Sequence, residues 1–432
     1  MNEDSGTTRA ALSHYRQYQH SGLPWINRLP AHWSVRRAKH VFKPVDSRSE
    51  TGEEELLSVS EHDGVIPRSQ KKVTMFKAES YTGHKLCWPG DLVVNSLWAW
   101  KRGLGISRYH GIVSTAYGVY RPRPRYSAHA RFFDYLLRSE IYDWEFRIRS
   151  KGVWVSRLKL TDEDFLDMPI ILPPADEAKR IVEFLKVYDR LTRRYIRARQ
   201  RLIALLEEQK QALIQRAVTR GLDPNVRLRA SGVEWLGEIP EHWEIVLNQR
   251  IFKEKIRPHG DLPETQLSLS QKDGLIATSE MEERSLQTST YDNWKVTIPG
   301  DIVLNRFKAH LGVFFASTLR GIVSFHYGVF APRRELAPKY YELLYHTDPY
   351  KTVYAGQSNG MTVGLQNLSN QNFYNVKSLV PPLDEQERIV AFSEQVTMRS
   401  NDLISRTQRQ IDLVREYRTR LIADVVTGKL DV

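Results

Sequence analysis

The chain contains an internal duplication that extends over nearly its whole length. The segment from Pro173 to Glu177 returns 208 positions later as Pro381 to Glu385. Earlier in the chain, residues 21–33 return 210 positions later as 231–243, and Pro89 to Asn95 returns as Pro299 to Asn305. Because a repeat of this length specifies the same supersecondary units twice, the sequence predicts two similar halves.

Each half ends in a long segment that is predicted to be helical. Tandem prolines are tolerated at a helix start, and the acidic residues that follow them favour the positive end of the helix dipole. No Pro or Gly then occurs before Gly221 in the first half or Gly428 in the second. About 44 residues at about 1.5 Å each give a helix on the order of 65 Å. That length is typical of a spacer or a coiled coil.

Apolar residues in both segments recur at intervals of three and four, which predicts helices that pack along apolar stripes. The residues predicted to form the coiled coil or to bind a partner are Ile181, Phe184, Leu191, Ile196, Ile203 and Leu213 in the first helix and Ile389, Phe392, Ile404, Ile411 and Leu421 in the second.

The duplication also predicts how these helices are arranged. The first helix carries the chain from the first globular domain to the second, and by symmetry the second helix must carry it back. We therefore expect an antiparallel coiled coil with pseudo-twofold symmetry, with the globular domains at opposite ends. Such an object can address two separated sites on a DNA duplex.

The globular parts are predicted to be mixed α/β domains, so the fold class is α+β. A Pro-Gly-Asp turn precedes the apolar run Leu92 to Val94, and short β-branched runs follow near Ile112 and Val119, as expected for strands. Helices are expected at Phe133 to Leu137 and at Tyr341 to Tyr345. The predicted boundaries are 1–20 for an N-terminal tail, 21–172 for the first domain, 173–222 for the first helix, 223–380 for a linker and the second domain, and 381–432 for the second helix.

Composition indicates a soluble protein with an anionic partner. The formal charge is +12, and such an excess of Lys and Arg favours binding to phosphates. The single cysteine, Cys87, excludes an internal disulfide and a zinc site built from several cysteines. No apolar run reaches membrane-spanning length, and residues 1–8 lack the apolar core of a signal peptide. We therefore expect a cytoplasmic protein that does not bind membranes.

No motif in the sequence calls for catalysis or for a metal. Phosphate-binding and dinucleotide-binding glycine patterns, the His-Glu-x-x-His pattern and the Asn/Asp-Pro-Pro-Tyr/Phe pattern of amino-methyltransferases are all missing. His32 and His242 each precede a tryptophan in the repeated frame, where a packing role is expected. Asp91 and Asp301 follow Pro-Gly and are expected to accept hydrogen bonds from turn N–H groups.

Two segments differ between the halves although the surrounding frame is kept. One follows Asn95 and Asn305, and the other lies between each domain and its long helix. Both combine cationic, amide and aromatic side chains, which are the types that contact phosphates and base edges. The predicted DNA-binding residues are Trp98, Trp100, Lys101, Arg102, Arg149, Ser150, Lys151, Trp154 and Arg157 in the first half and Arg306, Lys308, His310, Gln357, Ser358, Asn359 and Thr362 in the second.

The repeated motifs resemble those of the specificity subunit of type I restriction-modification systems. They are the Ser-Gly-x-x-Trp-x-x-x-x-Pro-x-His-Trp opening at 21–33 and 231–243, the Pro-Gly-Asp strand entries, and the Pro-Pro-x-Asp-Glu helix starts followed by Arg-Ile-Val at 180–182 and 388–390. The resemblance implies two target recognition domains, each of which recognises one half of a bipartite asymmetric DNA site. It also implies central helices that set the gap between the half-sites and bind two methyltransferase subunits.

In that family, restriction and translocation subunits join the complex, and S-adenosylmethionine, ATP and magnesium are bound by the partners. The resemblance therefore implies a non-catalytic subunit without a cofactor of its own. Three alternatives are compatible with the residues: an enzyme with a degenerate active site, a coiled-coil scaffold that does not bind DNA, and the specificity arm of a related restriction system of the type IIB or IIG kind.

Overall fold

The fold divides into two compact units, and each contains residues from both halves of the chain. The computed structural model describes residues 13–61, 63–71, 80–152, 158–258, 264–271, 273–281, 293–358 and 367–432. The first unit comprises Met1–Arg199 and Arg409–Val432, and the second unit comprises Gln200–Gln408.

The two units contain matching sets of short strands. The strands of the first half are β1 (Tyr18–Leu23), β2 (Ile26–Pro30), β3 (Ser34–Arg37), β4 (Phe42–Pro44), β5 (Leu57–Ser60), β6 (Gly64–Pro67), β7 (Lys85–Cys87), β8 (Leu92–Asn95), β9 (Leu104–Ile106), β10 (Gly111–Val113), β11 (Tyr117–Pro122) and β12 (Pro169–Leu172). Those of the second half are β13 (Leu228–Ala230), β14 (Glu238–Pro240), β15 (Glu244–Leu247), β16 (Phe252–Glu254), β17 (Leu267–Ser270), β18 (Gly274–Ala277), β19 (Lys295–Thr297), β20 (Ile302–Asn305), β21 (Phe314–Ala316), β22 (Gly321–Val323), β23 (Tyr327–Pro332) and β24 (Lys377–Val380).

An antiparallel four-stranded sheet is the centre of each globular part. Its strand order is β4-β11-β8-β9 in the first unit and β16-β23-β20-β21 in the second. The predicted strand at Leu92 is the inner strand β8, and both of its faces are buried, which explains its continuous apolar sequence. Smaller antiparallel pairs surround the sheet in the same combinations, such as β3 with β12 and β15 with β24. The predicted mixed α+β class is confirmed.

The helices also occur in equivalent places. They are α1 (Ala38–Val41), α2 (Ala130–Leu137), α3 (Asp143–Arg149), α4 (Asp162–Leu166) and α5 (Ala175–Arg220) in the first half and α6 (Asn248–Ile251), α7 (Pro338–Tyr345), α8 (Asp348–Gln357), α9 (Asn370–Asn375) and α10 (Leu383–Val426) in the second. The helices predicted near Phe133 and Tyr341 are α2 and α7, and the two long helices are α5 and α10.

The repeated His-Trp and Asp-Glu motifs meet at the start of each long helix. In the first unit, Glu177 accepts hydrogen bonds from Trp33 Nε1 at 3.0 Å and lies 2.8 Å from His32 Nε2. In the second unit, Glu385 has the same two partners, Trp243 and His242, at 3.0 and 2.8 Å. A carboxylate in the first turn is also favoured by the helix dipole. The motifs therefore join each sheet domain to its long helix.

Within each unit, parts of the two long helices pack antiparallel. In the first unit, Ala178 and Leu185 of α5 share a hydrophobic core with Val425 and Leu421 of α10. Further along α5, Asp189 Oδ1 accepts a hydrogen bond from Arg418 Nε at 2.7 Å, so the partner residue numbers fall as those of α5 rise.

In the second unit, Lys210 of α5 donates to Asn401 of α10 at 3.2 Å. Further along, Val218 lies in one core cluster with Ile389. Here too the residue numbers run in opposite directions, and the predicted antiparallel pairing is confirmed within each unit.

The helix ends bring the two halves of the chain into each other's units. Gly428, which follows α10, has a left-handed φ of 69° and packs on Pro30 and Trp33 of the first unit. Gly221, which follows α5, has a φ of 77° and packs on Trp243 and Glu385 of the second unit. Glycine suits both positions because it adopts this conformation without strain, and because a side chain would collide with the packed neighbours.

The segment from residue 13 to residue 20, which we placed in an N-terminal tail, is packed in the first unit. Ser13 pairs with Asp431 in a β-bridge, and the Tyr15 hydroxyl donates a hydrogen bond to Glu177. Tyr18 begins strand β1, which pairs with β2. The sequence shows little pattern here because these contacts are made to residues far away along the chain. In the part of the chain that the structure describes, no helix is both long and apolar enough to span a lipid bilayer.

Candidate nucleic-acid interface

The two divergent segments of each half are held next to each other. In the first unit, the segment after β8 meets the segment before α4, because Leu160 N donates to Ser96 O at 2.9 Å. In the second unit, Leu368 N donates to Arg306 O at 3.0 Å in the same way. The variable residues thus form one composite loop region in each unit, which we call the first and the second variable region.

A shared turn begins both regions. The side chain of Asn95 accepts a hydrogen bond from Leu97 N at 3.2 Å, and that of Asn305 accepts one from Phe307 N at 3.1 Å. This side-chain turn mimics a backbone turn and explains why the asparagine is common to both halves. The residues that follow it are therefore presented from the same place in each sheet.

The first variable region presents a pair of stacked tryptophans. Trp98 is 51% exposed, and its ring lies 6.2 Å from that of Trp100 with an angle of 13° between the planes. The ammonium group of Lys101 lies 5.3 Å from the first ring centroid and 5.0 Å from the second, which is within cation–π range. This arrangement offers a flat aromatic surface with an adjacent positive charge, and such surfaces stack on nucleic-acid bases.

The second variable region presents a different aromatic cluster. Phe307 is 39% exposed and lies 5.3 Å from the ring of His326, which in turn lies 3.8 Å from Phe325. Lys308 is exposed beside Phe307. His310 is half-buried, and its Nδ1 atom has no hydrogen-bond partner among the described residues. Phe325 and His326 were missed in the sequence, although Thr115 and Ala116 stand at the equivalent positions of the first half and the difference is visible.

Three of the predicted DNA-binding arginines are paired with acidic residues of their own unit. Arg102 Nη2 lies 2.7 Å from Glu61, and Arg149 Nε lies 2.7 Å from Glu145. Arg306 Nη2 lies 2.8 Å from Glu254 and donates to Asn370 Oδ1 at 2.8 Å. These pairs are partly buried, so the arginines fix the position of the variable regions. A contact with DNA at these residues stays a prediction.

The remaining predicted residues fall into three groups. Lys151 is well exposed and lies 2.9 Å from Asp164. Ser150 and Ser358 donate to the carbonyl four residues earlier, Phe146 O at 2.7 Å and Tyr354 O at 2.6 Å, and so terminate α3 and α8 in the same way. Gln357 has an exposed side chain at the end of α8. Trp154, Arg157, Asn359 and Thr362 lie outside the described residues.

The comparison with known families agrees with the repeated motifs. A family model described as the type I restriction modification DNA specificity domain matches residues 97–204 and 241–413. The chain belongs to this family. The matched ranges contain most of both variable regions and much of both long helices, so the type I specificity subunit was correctly recognised from its sequence.

Solved structures share the fold of this specificity subunit. A chain from a structure of complex assembly and conformational transition in a type I R-M system has a TM-score of 0.66 at 17% identity. The alignment covers 93% of this chain and 99% of that chain. The crystal structure of the HsdS subunit from Thermoanaerobacter tengcongensis has a TM-score of 0.54 at 19% identity, with 93% and 98% covered. No curated protein sequence matches the chain.

The predicted coiled-coil residues of the specificity subunit divide by burial. Ile181, Ile389, Ile411 and Leu421 are fully buried, and Phe184, Ile196, Ile203, Phe392 and Ile404 are half-buried. Leu191 and Leu213, in contrast, are 57% and 37% exposed. Near Leu191, the buried positions of α5 are Asp189 and Thr192, each 4% exposed. A search for apolar periodicity does not find this polar part of the helix pair.

Among the residues that the structure describes, His, Cys, Asp and Glu side chains do not gather in a group of three that could hold a metal ion. Cys87 is buried, and burial raises the pKa of its thiol to about 11. The thiol is therefore neutral and unreactive at physiological pH.

Proposed function

We propose that this type I specificity subunit recognises a bipartite, asymmetric site on double-stranded DNA and directs its partner enzymes to that site. The support comes from one comparison within the chain. A common frame presents two variable regions that differ in their exposed groups, Trp98, Trp100 and Lys101 in one and Phe307, Lys308 and His326 in the other. Different surfaces on equivalent frames are expected to prefer different bases, and this is why the half-sites should differ.

The proposal includes the partners of the chain. Two methyltransferase subunits would bind along the long helices, where Leu191 and Leu213 offer exposed apolar surface. Restriction and translocation subunits would then join, as complex assembly is described for the similar type I R-M structure. The chain itself would carry no catalytic residue and no cofactor. S-adenosylmethionine, ATP and magnesium would be bound by the partners, and the complex would act in the cytoplasm.

Mapping of methylated adenines tests this function directly. Genomic DNA from the source cell is sequenced for N6-methyladenine with the gene present, with the gene deleted, and with residues 231–380 exchanged for those of a relative. We expect a two-part motif that disappears on deletion. We also expect the exchange to alter one half-site and to leave the other half-site unchanged.

Two outcomes would contradict the proposal. If the methylated motif persists after deletion, another protein sets the sequence specificity. If the exchange changes both half-sites, the two domains do not recognise DNA independently. A synonymous recoding of 231–380 that keeps the protein sequence is the matched control for expression.

A further inference from the structure

A cluster of basic side chains lines a cleft in the first unit, away from the exposed tryptophans. Arg108, which follows β9, and Arg131 of α2 approach Lys186 and Arg193 of α5. Together with Tyr135, these residues surround a cavity of about 330 Å³. The cleft therefore lies between the sheet domain and the long helix of the same unit.

The positive charge in this cleft is not balanced locally. Arg193 lies 3.8 Å from Asp189, but that carboxylate has a closer partner in Arg418 at 2.7 Å. Within the described part of the chain, Arg108, Arg131 and Lys186 make no ion pair with a carboxylate. Burial lowers the pKa of the Arg131 guanidinium, and the nearby charge of Arg108 lowers it further. Several like charges that converge in a partly desolvated cleft favour a bound anion.

The second unit does not repeat this cluster. At the positions equivalent to Arg108, Arg131, Lys186 and Arg193 it has Thr318, Lys339, Glu394 and Asn401. Lys339 is already paired with Glu342 at 2.5 Å. The common frame of the two units therefore does not require the basic residues. Their presence in the first unit alone points to a role that the second unit lacks.

The basic cleft is continuous with the first variable region. A larger cavity of about 850 Å³ shares Arg108, Tyr135 and Arg193 with the cleft, and its lining reaches Arg102. Arg102 directly follows Lys101, whose ammonium group lies over the exposed tryptophans. An extended anion that contacts the first variable region can therefore continue into the cleft.

We propose that the cleft formed by Arg108, Arg131, Lys186 and Arg193 binds phosphodiester groups of the DNA backbone beside the half-site recognised by the first unit. This inference rests on the proposed function. Phosphate contacts fix the position of a protein on a duplex and add affinity without sequence information. The first unit would then contribute more of the salt-dependent affinity than the second.

The test measures the binding of a duplex of arbitrary sequence to the full-length chain over a range of salt concentrations. The variant Arg108→Gln/Arg131→Gln/Lys186→Gln should lower the slope of log K against log salt. Each lost phosphate contact lowers the slope by about 0.9, so the expected decrease lies between about 1 and 3. Thermal unfolding of each variant verifies that it is folded.

The matched control removes the same formal charge elsewhere. Arg388, Arg406 and Arg420 of α10 each pair with an acidic residue four positions earlier and have exposed side chains. Arg388→Gln/Arg406→Gln/Arg420→Gln should leave the slope within about 0.5 of the wild-type value. A decrease equal to that of the cleft variant would show a general charge effect and would overturn the assignment.

A second variant tests the cleft by gain of charge. Thr318→Arg/Glu394→Lys places the missing charges near Lys339 in the second unit, and the slope should increase. If the wild type shows no salt-dependent binding, the proposed function itself fails. If the wild type binds DNA and neither cleft variant changes the slope, only the present inference fails. Loss of methyltransferase binding with an unchanged slope would assign the cleft to a protein surface and would likewise overturn it.

Discussion

The first and second units neutralise the same buried carboxylate in different ways. Asp91 is 1% exposed and forms a two-pronged pair with Arg121 of β11 at 2.8 and 2.9 Å. Asp301 is 2% exposed and is paired with Arg257, which follows β16, at 2.5 and 3.2 Å. Both carboxylates also accept the predicted hydrogen bond from a turn N–H, from Trp88 and Ile298 respectively.

The arginines occupy non-equivalent places in the two repeats. Ala331 stands where the first unit has Arg121, and Ser47 stands where the second unit has Arg257. A buried charge without a partner is costly, so a cation is required, but either neighbouring segment can supply it. The comparison teaches that the frame fixes the requirement while leaving open which residue meets it.

A second difference concerns charge at the end of α2 and α7. Arg138 in the first unit donates to Glu61 O at 2.7 Å and lies 3.6 Å from Asp134. The equivalent His346 packs on Phe315 with ring centroids 5.0 Å apart. Burial lowers the pKa of His346 to about 4, and Lys351 lowers it further. One unit therefore keeps a permanent charge where the other keeps a neutral imidazole.

The largest expected effect tests whether the shared frame is equally important in both units. Trp33→Ala and Trp243→Ala should each lower the free energy of unfolding by about 3–5 kcal/mol, because each removes a fully buried indole and a hydrogen bond to a glutamate. Chemical denaturation monitored by circular dichroism measures the loss. Trp98→Ala, which removes an exposed indole, is the control and should change stability little. A large loss in only one unit would break the comparison.

An intermediate effect should depend on pH. Free histidine has a pKa near 6.5, so between about pH 6.5 and 4 the unfolded state takes up a proton that folded His346 does not. Stability is therefore present above this window and is lost as the pH falls through it, by on the order of 2 kcal/mol between pH 7.5 and 5.

The variant His346→Gln should remove this part of the pH dependence, measured by denaturation at both pH values. Lys351, Lys339 and Asp348 lie near the imidazole or in the same cleft and stay unchanged in the variant. Arg138→Gln in the first unit is the matched control, since it should alter stability equally at both pH values. A variant with the wild-type pH dependence would exclude His346 as its source.

The smallest effect concerns a contact that only the first unit makes. The Tyr15 hydroxyl donates to Glu177, whereas Asn225 stands at the equivalent position of the second half. Tyr15→Phe should lower the free energy of unfolding by about 1 kcal/mol, the usual value of one hydrogen bond. Tyr18→Phe removes an exposed hydrogen bond to Lys429 O that water can replace, and it should have almost no effect. Equal effects of the two variants would show that the Glu177 contact contributes nothing special.

Much of the fold followed from the sequence because its determinants are local or repeated. The prolines at 173–174 and 381–382 mark the helix starts, and symmetry alone gave the antiparallel pairing. The Asp189–Arg418 pair was not predictable, because its members are 229 positions apart and neither is apolar.

The site was predictable only in outline. Divergence between the halves located the variable regions, but composition does not distinguish a cation that contacts DNA from one that holds its own loop. Arg102, Arg149 and Arg306 have the residue type expected for phosphate contacts, yet each is paired with an acidic residue of its own unit. That distinction depends on the positions of Glu61, Glu145 and Glu254 in space.

The glycines that end α5 and α10 bear on the ancestry of the chain. Each lobe is completed by a helix end that belongs to the opposite copy, Gly428 against Trp33 and Gly221 against Trp243. A single-copy ancestor could not have covered its own tryptophan in this way and would have needed a twin polypeptide to do so. Fusion of two such genes would have turned an association that depends on concentration into a permanent one, and would have freed the two copies to evolve apart.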